Sequence, residues 1–264
     1  MLYDKIQLYN DSDDVFIETY CADKISARKS DAVLIIPGGG YSEICSDREG
    51  EPIAFNLLAN GFNCFVLHYS TGKNAVFPKP LIEASLAMKF IKDNADKYNI
   101  NPERVFAMGF SAGGHLCAAL GTMWHTDEIY KQISIPFGYN KPTGILTIYP
   151  VISCLIEKTH MPSFYNILGT TTPSYEQRKS CSLETYVDTN TVPTFIVHGF
   201  ADKLVPVKNA LVFADALSNN NIPFEMHIYP NAPHGFALAS KVTGWSDKLV
   251  ADWINKAIAW MDNL

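Results

Sequence analysis

Residues 105–121, VFAMGFSAGGHLCAALG, constrain the fold of this chain more than any other stretch. A short β-favouring run, residues 105–108, ends in Gly109-Phe110-Ser111-Ala112-Gly113, and small and apolar residues continue from there at helical spacing. That reads as a strand, a tight turn and a helix. The turn has the form Gly-x-Ser-x-Gly, the nucleophile elbow, which holds a serine on a strained strand-to-helix bend. Its flanking positions must be nearly free of side chains, because the two backbones pass close together and the bend needs unusual dihedrals. Ser111 is therefore expected to stand exposed at the carboxyl edge of a sheet. The helix that follows aims its free N–H groups and positive dipole end beside it.

Elsewhere short β-branched or aromatic runs alternate with longer helical periodicities, which predicts an α/β fold: a mostly parallel central sheet flanked by helices. Residues 15–21 read as an edge strand. Residues 31–37 and 62–69 are continuous apolar runs suited to strands buried on both faces. Further strands are expected at 144–151, 193–199 and 224–229, and helices at 52–60, about 80–98, 207 to about 217, and 245–261. Two segments, about 124–140 and 153–192, have weak periodicity and many aromatic and hydroxyl side chains. They are read as insertions that build a small cap over Ser111, within a single domain spanning residues 1–264. Loops this long in a compact domain are usually functional or disordered.

Composition narrows the function. A formal charge of −6 without blocks of like charge gives no electrostatic footprint for nucleic acid or an anionic membrane. No apolar run approaches the roughly 20 residues needed to span a bilayer, and the N-terminal residues lack the basic start and apolar segment of a secretion signal. The six cysteines, Cys21, Cys45, Cys64, Cys117, Cys154 and Cys181, show no CxxC pair and no zinc-like spacing. A cytoplasmic protein with reduced thiols is expected, and neither a metal nor an organic cofactor is implied.

A serine hydroxyl needs an adjacent base, usually histidine, and the histidine needs a carboxylate to fix its tautomer and stabilise its cation. In elbow-type hydrolases these come in the order serine, acid, histidine. Here Asp202 follows the strand at 193–199 and His234 follows the strand at 224–229. Both stand where ligands collect in open α/β sheets, just beyond the carboxyl ends of strands. An oxyanion hole also requires backbone donors: one from the residue after the nucleophile, Ala112, and one from the loop after an early strand. That loop reads Pro37-Gly38-Gly39-Gly40-Tyr41. Neither GxGxxG nor a following Gly-Lys-Ser/Thr is present, so a phosphate cradle is rejected. His198 and His115 read as structural, with His115 and Tyr41 kept as candidate substrate contacts.

GFSAGGHL, PGGGY, HGFAD and APHGF, in that order, resemble the α/β-hydrolase superfamily. More narrowly they resemble the esterase branch that includes acetyl xylan esterases and feruloyl-esterase-like carbohydrate esterases, related to hormone-sensitive-lipase-type esterases. The resemblance implies Ser111 as nucleophile, His234 as general base and acid, Asp202 as its orienting partner, and backbone donors at Gly39, Gly40 and Ala112. The histidine of the lipase-type HGGG motif is Pro37 here, which leaves open which two amides form the hole. The implied activity is hydrolysis of small acyl esters, acetyl above all, with an acylated carbohydrate as a candidate substrate. An arylformamidase-like amide hydrolase and a non-catalytic small-molecule receptor on the same fold are the alternatives. A homodimer is compatible with the sequence but has no warrant in it.

Overall fold

The continuous apolar runs become the inner strands of one eight-stranded sheet. In a computed structural model, which describes residues 1–9, 12–23 and 28–264, the strands are β1 (Leu2–Tyr9), β2 (Ser12–Cys21), β3 (Ser30–Ile36), β4 (Asn63–His68), β5 (Ile100–Phe110), β6 (Ile145–Ile148), β7 (Thr194–Gly199) and β8 (Phe224–Tyr229). The order across the sheet is β1-β2-β4-β3-β5-β6-β7-β8. β1 and β2 pair antiparallel, as do β2 and β4, and every later pairing is parallel. The strand expected at the edge, 15–21, is therefore the second one in. The edge belongs to β1, whose residues are largely exposed, with Ile6 and Leu8 partly buried.

The ten helices are α1 (Ser46–Glu49), α2 (Glu51–Ala59), α3 (Lys79–Asp93), α4 (Ser111–Met123), α5 (Asp127–Tyr130), α6 (Met161–Leu168), α7 (Tyr175–Ser180), α8 (Lys208–Asn219), α9 (Lys248–Ala251) and α10 (Trp253–Asn263), counted among the described residues. Successive side chains of a strand point to opposite faces, so each inner strand feeds two cores. Leu34, Ile36, Phe65 and Leu67 pack with α3, α4 and α8, through Leu81, Met88, Leu116, Leu120 and Phe213. Val33, Ile35, Val66, Phe106 and Met108 pack on the other face with Ile53 and Leu57 of α2 and with Trp253, Ala257 and Met261 of α10. The helix expected over 245–261 is broken at Asp252. Asp247 caps α9 by accepting from the N–H groups of Leu249 and Val250, and α10 starts afresh at Trp253.

Among the described residues no helix is long and apolar enough to cross a membrane, and no group of three His, Cys, Asp or Glu side chains is placed to hold a metal ion. All six cysteines are buried and unpaired.

Candidate active site

Parallel strands end on the same side, so β3, β5, β7 and β8 bring the Gly38–Gly40 loop, Ser111, Asp202 and His234 to one edge of the sheet. The elbow forms because glycines stand where side chains cannot. A Cβ on Gly113 would lie 2.1 Å from the Ile36 carbonyl oxygen, and one on Gly109 would lie 2.2 Å from the Gly113 carbonyl oxygen. Strand and helix are thus in backbone contact, and Ser111 takes the left-handed conformation, φ 53°.

The Ser111 hydroxyl donates to His234 Nε2 at 2.8 Å, and His234 Nδ1–H donates to Asp202 Oδ2 at 2.7 Å. The second carboxylate oxygen of Asp202 accepts from the N–H groups of Leu204 and Val205 at 2.9 and 2.8 Å. Since a carboxylate only accepts, the proton sits on Nδ1 and leaves Nε2 bare toward the serine. Burial alone would raise the Asp202 pKa, but hydrogen bonds from His198 and His234 outweigh it and hold the carboxyl well below the usual range. The His198 contribution is the looser one: its Nε2 stands 3.5 Å from Asp202 Oδ2 and donates to the Val205 carbonyl at 2.9 Å. His198 is packed locally, as its strand-end position suggests.

The depressed carboxyl has a measurable consequence. A group whose pKa is lowered by folding contributes stability above its unfolded value, about 3.9 for Asp, and loses it as pH falls toward the folded value. The stability gap between the wild type and Asp202→Asn in urea unfolding should therefore be widest near neutrality and narrow below about pH 4. A gap that stays constant from pH 7 to pH 3 would refute the account.

The glycine loop is held by its carbonyls. Those of Pro37, Gly38, Gly39 and Gly40 accept, in turn, from the Tyr69 hydroxyl at 2.8 Å, the Cys45 N–H at 3.1 Å, the Ser42 N–H at 3.0 Å and the Asn166 side-chain amide at 2.9 Å. With every carbonyl engaged, the peptide planes are fixed. The Gly38 N–H donates to Glu49 Oε2 at 2.7 Å, which removes it as an oxyanion donor. Among the described residues the Gly39 and Gly40 N–H groups donate to no backbone carbonyl, and both residues line the cavity beside Ser111. Ala112 lies in the first turn of α4, where N–H groups have no intrahelical acceptor. Gly39, Gly40 and Tyr41 all have positive φ, 124°, 63° and 59°, a run that glycine tolerates and tyrosine adopts only where packing enforces it.

That packing corrects one expectation. Tyr41 and His115, read as candidate substrate contacts, do not line the cavity. Both are buried, and the Tyr41 hydroxyl donates to His115 Nδ1 at 2.9 Å while His115 Nε2–H donates to the Cys181 carbonyl at 3.0 Å. Burial pushes the imidazole down to about 4, so it stays neutral. The pair ties the glycine loop to α4.

The cavity over Ser111 has a volume of about 330 Å³. Its wall includes residues that the sequence did not single out: Arg48, Glu49, His160, Asn166 and Leu204. His160 Nδ1 bonds the Ser163 hydroxyl at 2.8 Å, and burial, with His234 nearby, lowers its pKa. Glu49 is buried, and burial raises its pKa against hydrogen bonds from Gly38 and Tyr149. No sequence signal marks it, since it lies in a charged stretch, residues 47–51, just before the helix expected at 52–60. Of the two expected cap segments, 153–192 supplies His160, Pro162 and Asn166 to the cavity. The described residues of 124–140 supply none. Their hydrogen bonds run to α3, from Tyr139 to Asp93 and from Asn140 to Ser85, and to the other segment, from Trp124 to the Asn190 carbonyl.

A parallel-sheet core with an elbow serine, a paired imidazole and a glycine loop at one edge defines the α/β-hydrolase fold. The chain belongs to the BD-FAE family, whose model matches residues 18–217. It is similar to the endo-1,4-β-xylanase B of Butyrivibrio fibrisolvens, 39% identical over 83% of this chain and 34% of that one. It is also similar to the acetylxylan esterase of Xylanibacter ruminicola, 32% identical over 84% of this chain and 44% of that one. The chain thus spans between a third and a half of the length of these relatives. Its structure is similar to the crystal structure of an acetyl ester-xyloside bifunctional hydrolase from Caldicellulosiruptor lactoaceticus, with a TM-score of 0.85 and 31% identity, covering 98% of this chain and 96% of that one.

Proposed function

We propose that the chain is a serine carboxylesterase that removes small acyl groups, acetyl above all, from carbohydrate esters. The observation that supports this best is the hydrogen-bonded series from Ser111 through His234 to Asp202, at 2.8 and 2.7 Å, opening on a cavity floored by free backbone amides. Ser111 Oγ attacks the ester carbonyl while His234 Nε2 takes its proton. Negative charge on the carbonyl oxygen is met by the N–H groups of Gly39, Gly40 and Ala112, an arrangement in which one donor is worth roughly 3 kcal/mol of barrier. The tetrahedral intermediate collapses as the imidazolium gives its proton to the departing alcohol oxygen. Water then enters, loses a proton to His234, and releases the acid from the acyl-serine.

The carbohydrate preference draws support from two sources. The relatives named above include an acetylxylan esterase and an acetyl ester-xyloside hydrolase. The cavity wall also carries the polar side chains of Ser42, His160 and Asn166 beside Leu204 and Pro162. Those side chains can hydrogen-bond sugar hydroxyls, and a space of about 330 Å³ shared by the acyl group and the alcohol leaves a long acyl chain little room.

Initial rates on p-nitrophenyl acetate, butyrate and octanoate test acyl size, and acetylated xylo-oligosaccharides test the alcohol side. kcat/KM is expected to fall by at least tenfold from acetate to octanoate. Octanoate preferred over acetate would overturn the small-acyl reading. An aryl formamide and p-nitrophenyl β-xyloside belong in the same panel, because amide or glycoside cleavage faster than ester cleavage would reassign the reaction. A fluorophosphonate that fails to label Ser111 would indicate a receptor in place of an enzyme.

A further inference from the structure

We infer that Glu49 is a positioning residue that ties the loop carrying the oxyanion donors to the loop carrying His234. This rests on the esterase reading above and adds to it a residue outside the triad and the glycine loop. Both oxygens of the buried carboxyl are used. Oε2 accepts from the Gly38 N–H at 2.7 Å, and Oε1 accepts from the Tyr149 hydroxyl at 2.8 Å. The Tyr149 oxygen in turn accepts from the Ala237 N–H at 3.2 Å. A continuous series of three hydrogen bonds therefore runs from the residue before Gly39 to the third residue after His234.

Its middle member is itself held firmly. Tyr149 is fully buried, sits at φ 39°, and packs its ring edge-on against His234 and Phe236, with centroids 5.0 and 4.7 Å away. Glu49, Gly38 and Ser111 are closely packed: a Cβ on Gly38 would come within 2.8 Å of Glu49 Oε2 and 2.9 Å of Ser111 Cβ. The oxyanion donors and the base act on opposite sides of one carbonyl carbon. A misplacement on the order of 1 Å between them costs about 10² in rate. Glu49 and Tyr149 span that distance through buried hydrogen bonds, where each bond resists displacement more than it would in water. The Pro37 that stands in place of a bracing histidine has no side-chain donor, and Glu49 supplies the brace from the other side of the loop.

The test compares wild type, Ser111→Ala, Glu49→Gln and Tyr149→Phe on p-nitrophenyl acetate. Glutamine matches the shape but can accept through only one atom, so either Gly38 or Tyr149 loses its acceptor. The Tyr149→Phe change removes only a hydroxyl and breaks the series without touching Gly38. We expect kcat to fall by about 10² in Glu49→Gln and about tenfold in Tyr149→Phe, which loses both the bond to Glu49 and the bond from Ala237, with KM within about threefold of wild type in both. A general loosening of the fold would instead raise KM and lower the melting temperature together. If Glu49→Gln does not accumulate as folded protein, Tyr149→Phe decides alone. Wild-type kcat in the folded variants, with Ser111→Ala inert, overturns the inference and leaves the esterase reading intact. An inert wild type removes the esterase reading, and this inference with it.

Discussion

Replacing Ser111 with alanine is expected to lower kcat for p-nitrophenyl acetate by about 10⁶, the cost of losing the serine from a complete triad. The change removes one oxygen and leaves the elbow standing. Alanine meets the same left-handed strain at φ 53° as serine does, and the helix dipole, the glycine loop and the His234–Asp202 pair do not depend on the hydroxyl. Stability should fall by no more than the one hydrogen bond to His234, about 1 kcal/mol, which is about 2–4 °C in melting temperature for a chain of this size. Turnover by the variant within tenfold of wild type would mean that the nucleophile lies elsewhere. The magnitude separates chemistry from binding. The Gly39, Gly40 and Ala112 amides remain in the variant, and such donors with binding alone can leave about 10³–10⁴ of acceleration over water.

The parallel core and the candidate site were legible in the sequence for the same physical reason. Strands buried on both faces must be largely apolar, so β3, β4, β7 and the second half of β5 announce themselves, while residues 101–104 of β5 do not. A parallel sheet then puts everything that follows a strand on one edge, so Ser111, Asp202 and His234 could be grouped without coordinates. What was not legible depends on direction and burial, which a linear pattern does not carry. β1 is mostly exposed and interrupted by Asp4, Lys5 and Gln7, so it does not stand out as a strand and β2 looks like the edge. Tyr41 beside three glycines reads as a group offered to a ligand, yet its positive φ turns the ring inward onto His115. Glu49 lies in a charged run that looks solvated, and only the approach of Tyr149, 100 residues away, makes it an interior carboxylate. Likewise Asn166 becomes part of the cavity through its bond to the Gly40 carbonyl across 126 residues.

The change of Gly113 to alanine should be severely damaging for a single methyl group. Two effects oppose. Gly113 is helical, and alanine is intrinsically favoured over glycine in a helix by about 1 kcal/mol. Against this, the added Cβ would stand 2.1 Å from the Ile36 carbonyl oxygen, 2.3 Å from the Pro37 carbonyl oxygen and 2.7 Å from the Pro37 carbonyl carbon. All three are backbone atoms of β3 and the glycine loop, so no side chain can rotate away. β3 pairs with β4 on one side and β5 on the other, and it cannot recede without disturbing both ladders. The helix must move instead, by about 1 Å to reach ordinary contact distance. Overpacking of this kind costs about 1–3 kcal/mol where side chains can adjust, and more where they cannot. We expect a net loss of at least about 3 kcal/mol, or about 6–12 °C in melting temperature. In the fraction that folds, kcat should fall by about 10², since Ser111 moves with the helix while Gly39 and Gly40 stay with β3. Thermal unfolding and steady-state kinetics on the same preparation check both. A variant with wild-type melting temperature and wild-type kcat would show that helix and strand are not in backbone contact at Gly113. The oxyanion donors would then be free to shift relative to Ser111, and the rigid geometry on which the esterase mechanism depends would have to come from elsewhere.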